Sequence, residues 1–419
     1  MKNTRSLHGD DSGMALFTVI MMSTILFLLV TSLLVLQGYY VSMVQLRSDR
    51  MSATHIADAG LNDYLYQIKK NSTYYLTVPD TGWTTFGGGR YRVVAVAPGN
   101  GNPLTLYSTG SADSTTTLVA TVRYPTFADY MFLSDGYISF GSGALVDGQV
   151  RSNDYVENDG HITGKTFAVT SIYGTGLFDQ GKVCPSAPVN FGLIDVKMDD
   201  IMTAAQDNSP SSYFAKTASG SYGYRVTFNG STYLVERVTG GTTTGNLTTV
   251  TLGTYTIPVD GALYFDDTVW VRGNYGANVT LVSSVNIYIM DSYRRTVSTA
   301  SYSSGLISKN NIIVPSWYAS VPQDMVIEAA VLAKSGQFYA DMKAGVFRNT
   351  LRVSGAITDA DSTGGFVTTD WWGRDYAGFH SRSYLYDQRL NLNPPPYYPP
   401  TGDGALKVTT WVDQRGITP

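Results

Sequence analysis

A single cysteine, Cys184, stands in a chain of 419 residues. No intramolecular disulfide can form, so stability must come from backbone ladders and packing; Cys184 is left for an intermolecular bridge or for an inert buried thiol. Charge is scarce as well: Asp, Glu, Lys and Arg make up 15% of the residues, against about 25% in an ordinary globular domain. The formal net charge is -4, which gives no basic field and argues against nucleic acid as a partner. Catalytic signatures are missing too. There is no G-x-S-x-G elbow, no H-E-x-x-H and no phosphate-binding loop, and His8, His55, His161 and His380 are far apart in sequence.

The longest gap in charge is local. From Met14 through Leu46 no Asp, Glu, Lys, Arg or His occurs. Residues 14 to 36 alone would make a helix of roughly 34 Å at 1.5 Å per residue, slightly more than the ~30 Å hydrocarbon core of a bilayer. The run exceeds a secretory h-region of about 7 to 15 residues, and no A-x-A-like site follows it. It is therefore expected to stay as an anchor, with a short N-terminus in the cytoplasm and the bulk exported. Beyond it, Ala53, Ile56, Ala57, Gly60, Leu61, Tyr64, Leu65 and Ile68 recur at three- and four-residue spacing. One helix from about residue 14 to about 70, lipid-soluble first and amphipathic second, follows from these two patterns. Small residues at Ala53, Ala57 and Gly60 would let other helices come close.

The opening "SGMALFTVI", the apolar stem and "ATHIADAGLNDYLYQI" at 53 to 68 resemble the N-terminus of type IV pilins and pseudopilins, most closely the PilX-type minor pilins. The resemblance implies a leader of residues 1 to 13, removed by a prepilin peptidase between Gly13 and Met14, and partnership with other pilins or pseudopilins through the stem. It also implies a stay in the cytoplasmic membrane before assembly brings the head to a pilus or the cell surface. One position departs from the family: major subunits carry a glutamate at the fifth mature place, where this chain has Thr18. That glutamate is thought to neutralise a neighbour's terminal amine in an apolar bundle. Its absence implies a tip or priming subunit rather than a repeating one.

About 350 residues follow the stem, rich in Gly, Tyr, Ser, Thr and Val. Three β-like runs, at 90 to 97, 104 to 110 and 117 to 124, predict a small antiparallel meander within a pilin-like domain, 71 to 125. From 126 to 392, short β-runs alternate with Gly, Asn or Asp corners. In the clearest part Val269, Val271, Val279, Leu281, Val285, Ile287 and Ile289 alternate with polar or small residues. The fold class expected is thus mainly β: a long N-terminal α-helix, a small meander, then an irregular right-handed β-helix or solenoid, with a β-sandwich as the alternative. A helix at 194 to 206 interrupts the head, "DMVIEAAVLAKSGQF" at 324 to 338 reads as an edge strand, and the Pro-rich stretch from 393 reads as polyproline II that seals the end of the solenoid.

Carboxylates at Asp147, Asp154 and Asp159, or Asp266 and Asp267, are where a polysaccharide-active enzyme would place its acids, although such residues more often sit at corners. No enzyme is expected. Asp359, Asp361, Thr363 and Asp370, with Gly364 at the sixth loop place, have the spacing of a calcium loop; a plain Asp/Gly turn is the simpler reading. The aromatics Trp371, Trp372, Tyr376 and Phe379 could cap the head or stack on a surface or polysaccharide ligand.

Overall fold

The structure is a computed structural model that describes residues 11–71, 73–97, 104–208, 210–361, 364–369, 375–402 and 406–414. It is a long N-terminal helix followed by a large, mostly β body, and it divides into two compact units.

In the first unit, helix α1 runs unbroken over Asp11–Lys70. Of its described side chains, all but the half-buried Thr31 and Asp49 stay exposed up to Met51, and burial begins at Ala53. From there Ala53, Ile56, Ala57, Leu61, Tyr64 and Ile68 lie under the strands β1 (Thr84–Phe86), β2 (Gly89–Val96), β3 (Leu104–Ser111) and β4 (Thr115–Arg123), which form a sheet in chain order. Period-2 burial along β2 and β3 turns Tyr91, Val93, Ala95, Leu104 and Leu106 inward. Small residues set the depth of this contact. A Cβ on Gly110 would come within 2.1 Å of the Ala53 carbonyl oxygen, and one on Gly60 within 2.6 Å of the Tyr91 ring. Hydrogen bonds pin the same seam: Ser108 Oγ donates to the Ala57 carbonyl (2.6 Å), Tyr91 to Asp63 (3.0 Å) and Tyr64 to the Val78 carbonyl (2.6 Å). Ala53, Ala57 and Gly60, expected to admit neighbouring helices, here admit the chain's own sheet.

The second unit is a stack of short strands. One column of paired residues shows its construction: Leu263 pairs with Leu281, then Leu306, Val331, Ile357, Phe132, Val150 and Thr166, each step parallel. All eight side chains are buried, so the column is an inward seam of the core. A second parallel ladder runs beside it from Gly223–Gly230 to Leu177–Phe178, and a third joins Ile138–Phe140, Tyr155–Asn158 and Ser171–Tyr173. Among the described residues, the antiparallel strand pairs of the stack are those of the hairpins 223–256 and 367–378, with one isolated antiparallel bridge between Thr126 and Pro400. The antiparallel sheets of a sandwich are not what this body is built from.

The order of stacking differs from the order of the chain. Ile357 lies beside Phe132, so the last coil joins the first, and the chain enters and leaves the stack at its middle. From Phe132 it coils outward to Lys182–Val183; helix α2 (Leu193–Asp207) then returns it to Tyr213–Phe214 at the opposite end. The helix is therefore a crossover rather than an interruption. Its apolar face, Ile194, Met198, Ile201 and Ala205, covers the outward side of the first ladder, where Tyr264, Val282, Ile307 and Leu332 sit.

Three expectations need correction. Residues 324 to 338 are not an edge: Asp324–Ile327 and Ala330–Ala333 are inner strands, and the latter pairs with Gly305–Ser308 on one side and Ala356–Asp359 on the other. The Pro-rich stretch is not a continuous polyproline helix, because Tyr397 takes φ 57. Nor does it seal an end. Pro395 and Tyr398 lie on Gly305, and Pro396 lies on Gly261, along the flank of the stack. After it, Lys407–Gln414 becomes the fifth strand of the first sheet, beside β4. The stack is thus inserted between two neighbouring strands.

Candidate functional site

Two features could carry function: the bare part of α1 and the surface of the stack. On α1, Met14, Leu16, Phe17, Leu28, Leu36 and Val44 are among the side chains that stay exposed, and the segment is long and apolar enough to cross a membrane. Its few hydroxyls are satisfied within the helix. Thr18 donates to the Met14 carbonyl (2.8 Å), Thr24 to Ile20 (2.7 Å), Thr31 to Phe27 (2.6 Å) and Ser32 to Leu29 (2.8 Å). Helical back-bonding of this kind lets Ser and Thr sit in hydrocarbon without an unmet donor. The Gly13–Met14 bond lies in the first turn of α1. Tyr39 and Tyr40, both exposed, close the apolar run where an interfacial aromatic belt would stand.

On the stack, the carboxylates singled out in the sequence do not converge. Asp147 accepts from Thr163 (2.9 Å), Asp154 from Thr170 (3.0 Å) and Asp159 from Thr175 (2.9 Å), each on the next coil, 16 residues on. They tie successive corners together. The two hydrogen bonds from Thr175, backbone and side chain, hold the Asp159 carboxyl below its usual range. Asp267 likewise accepts from the Thr217 hydroxyl and N–H. In the C-terminal coils asparagine does the same work: Asn286 Oδ1 accepts from Asn311 N and Asn311 Oδ1 from Gln337 N, both at 3.0 Å.

Of the expected calcium loop, Thr363 and Asp370 lie outside the described residues, as do Trp371 and Trp372. Asp359 turns inward and accepts the Phe338 N–H (2.8 Å); burial pushes its carboxyl well above the usual range. Asp361 is exposed and its carbonyl accepts from Ser134 Oγ (2.5 Å). Gly364 lies against the Phe338 carbonyl, where a Cβ would come within 2.4 Å. Among the described residues no three His, Cys, Asp or Glu side chains gather as a metal site. Phe379 is fully buried, so of these aromatics it serves packing, whereas Tyr376 is about half exposed.

Sequence reasoning missed the clasp where the chain enters and leaves the stack. Arg123 donates through both terminal nitrogens to Asp129 (2.7 and 2.6 Å), and Lys407 reaches the same carboxylate at 2.7 Å. Backbone bonds from Phe127 to Pro399 (3.0 Å) and from Thr401 to Pro125 (2.9 Å) run alongside. No local signal could have found it, because Asp129 and Lys407 are 278 residues apart.

Neither a family model nor a curated relative matches the chain. Among solved structures it is similar to the competence-associated pilin ComZ from Thermus thermophilus, with 12% identity and a TM-score of 0.31 over 87% of this chain and 97% of that one. A TM-score this low does not equate the two folds.

Proposed function

We propose that the chain is a minor pilin or pseudopilin-like component of a type IV pilus or related secretion filament. In this reading it is a tip or assembly-priming subunit that presents a large, surface-binding, right-handed β-helical head. The observation that carries the reading is the single helix of 60 residues that begins bare and apolar and, from Ala53 on, buries one face under a small sheet. A plain anchor needs only the first half. Thr18 supports a terminal rather than repeating place, since no carboxylate is present there to meet a neighbour's amine. An insertion of this size between adjacent strands would be hard to accommodate at every position of a filament, which favours the same place.

The mechanism is assembly. A prepilin peptidase cuts between Gly13 and Met14, the stem waits in the cytoplasmic membrane, and its bare face then packs with the stems of other pilins while the head is displayed outside. The head's ligand would be a surface component or a polysaccharide; a calcium ion at the 359–370 loop belongs to this reading only as an accessory. Intact-mass measurement and N-terminal sequencing of the protein from its native membrane, with and without the peptidase, test it. A chain that starts at Met14 only when the peptidase is present is the expected result. An uncut chain would overturn the reading and leave a membrane-anchored surface adhesin outside any pilus.

A further inference from the structure

The clasp holds more than an ion pair needs. Lys407 Nζ lies 2.7 Å from Asp129 Oδ1 and also 2.7 Å from the side-chain oxygen of Asn391, 16 residues before it. The Tyr386 hydroxyl reaches the same oxygen at 3.1 Å. An ammonium group can only donate, so the atom between these two is the amide oxygen. Asn391 Nδ2 is turned the other way and donates to Oε1 of the exposed Gln388 at 2.9 Å. Arg123 fixes the arrangement from behind. Its Nε and Nη2 donate to the Asn391 main-chain carbonyl at 3.2 and 3.1 Å, while its two terminal nitrogens hold Asp129.

An amine beside an amide carbonyl, a carboxylate within proton-transfer distance of that amine and a hydroxyl on the carbonyl oxygen are the parts of an acyl transfer. We propose that Lys407 and Asn391 join in an intramolecular isopeptide bond. Asp129 takes a proton from Lys407, and the neutral Nζ attacks Asn391 Cγ. Charge then develops on Oδ1, where it draws the Tyr386 O–H, which in the resting arrangement is shared with the Ala128 carbonyl at 3.1 Å. The Nζ–Cγ bond forms and the Cγ–Nδ2 bond breaks. Asp129 relays two protons in all from Nζ to Nδ2, so the leaving nitrogen departs as ammonium on the side of exposed Gln388 and Asp129 ends ionised beneath Arg123. No oxidant or cofactor is needed. Arg123 makes Asp129 a weak base and slows the step, but the reaction runs once in the life of a chain, and the fixed approach of amine to carbonyl works in its favour. The bond would close residues 392 to 406 into a loop. Tension on the strand that begins at Lys407 would pass to Asn391 without drawing on that loop. The proposal does not depend on the filament reading.

Trypsin digestion of the full-length chain, purified in detergent and then denatured, reads the bond by mass spectrometry. Arg389, Lys407 and Arg415 are successive cleavage points, so an unlinked chain gives the peptides 390–407 and 408–415. A linked chain cannot be cut after Lys407. It is expected to give one peptide, 390–415, lighter by one ammonia and without fragment ions from breaks between 391 and 407. Lys407→Arg keeps a cation beside Asp129 and should give two separate peptides with no ammonia lost. Tyr386→Phe should slow closure on the order of 100-fold, the effect of losing one oxyanion donor, followed by digesting the chain at intervals after synthesis. Separate peptides of full mass from the wild-type chain overturn the proposal. So does loss of ammonia from 390–407 with the cut after Lys407 intact, the mark of a succinimide at Asn391. Closure of Tyr386→Phe at the wild-type rate overturns the role given to the hydroxyl.

Discussion

Residues 14 to 46 of α1 and the strands of the stack are both rich in Val, Ile, Leu and aromatic side chains, yet they dispose of them in opposite ways. On the stem these side chains are exposed around the whole helix. In the stack both sides of the first ladder are closed, the inner by the column from Leu263 to Val150 and the outer by α2 and the Pro-rich stretch. The reason lies in the backbone. A helix satisfies its own N–H and C=O groups and can stand bare in an apolar surrounding, whereas a strand must find neighbours before its side chains count. The stack therefore covers its first ladder from within the chain, and the stem does not cover its own surface. A bilayer would cover a run this long and apolar.

If the stack is self-sufficient, the clasp that closes its chain ends should matter most to it. Burial alone would raise the Asp129 carboxyl, but Arg123 and Lys407 outweigh it and hold the group below its usual range. Asp129→Ala leaves the Arg123 guanidinium buried with only carbonyls to meet it, at a cost of about 3–5 kcal/mol. Denaturant unfolding of the full chain in detergent should show this loss above the ordinary carboxylate range. The sign follows from the depressed pKa: the stability is present above the unfolded value of about 4 and lost as pH falls through the folded one. A loss under 1 kcal/mol would mean that the stack holds without its clasp.

The two halves of α1 allow a sharper comparison inside one element. Leu61 is 3% exposed under the sheet, whereas Leu28 is 66% exposed. Leu61→Ala should cost about 2–5 kcal/mol by transfer and cavity terms. Leu28→Ala should change the stability of the folded part by less than about 0.5 kcal/mol. Hydrogen exchange of β2 and β3 in detergent reads both. Equal effects would show that the stem is packed against something within the chain and would remove the contrast.

The contrast itself was largely legible in the sequence. A charge-free run followed by apolar residues at three- and four-residue spacing predicts one helix in two environments, and α1 is that helix. The strands near 90, 104 and 117 and the helix at 194 to 206 were legible for the same reason, since their periods are local. What stayed hidden was long-range. Nothing in the neighbourhood of Phe132 or Ile357 says that they pair, and a joint between the last and first coils leaves no repeat to read. The period is irregular because it changes along the stack: corner contacts recur at 16 residues in the N-terminal coils, as from Asp147 to Thr163, and at 25 in the C-terminal ones, as from Asn286 to Asn311, while Leu263 and Leu281 pair at 18. The small residues Ala53, Ala57 and Gly60 announced a close approach. They could not say whether a helix or the chain's own sheet would make it.

Within the stack, a smaller effect than that of the clasp is expected at a buried group the body would be better without. Asp359 is 2% exposed, and its carboxyl has one described partner, the Phe338 N–H. Burial favours the neutral acid, the Phe338 N–H opposes this, and Asp361 nearby adds to the rise, so the folded pKa stands well above the unfolded one. The stability this group contributes is complete below about pH 4 and is lost as pH rises towards the folded value. Asn keeps an oxygen for Phe338 and removes the titration. Asp359→Asn should therefore raise stability at neutral pH by on the order of 1–3 kcal/mol, the cost of an imperfectly met buried polar group. It should also flatten the pH dependence above pH 4, which thermal melts of the two proteins at pH 4, 5.5 and 7 would read. If the variant melts lower at pH 7 with calcium present, and not without it, the carboxylate is needed ionised there as a metal ligand. The closed stack would then hold an ion site, and its self-sufficiency would be conditional on that ion.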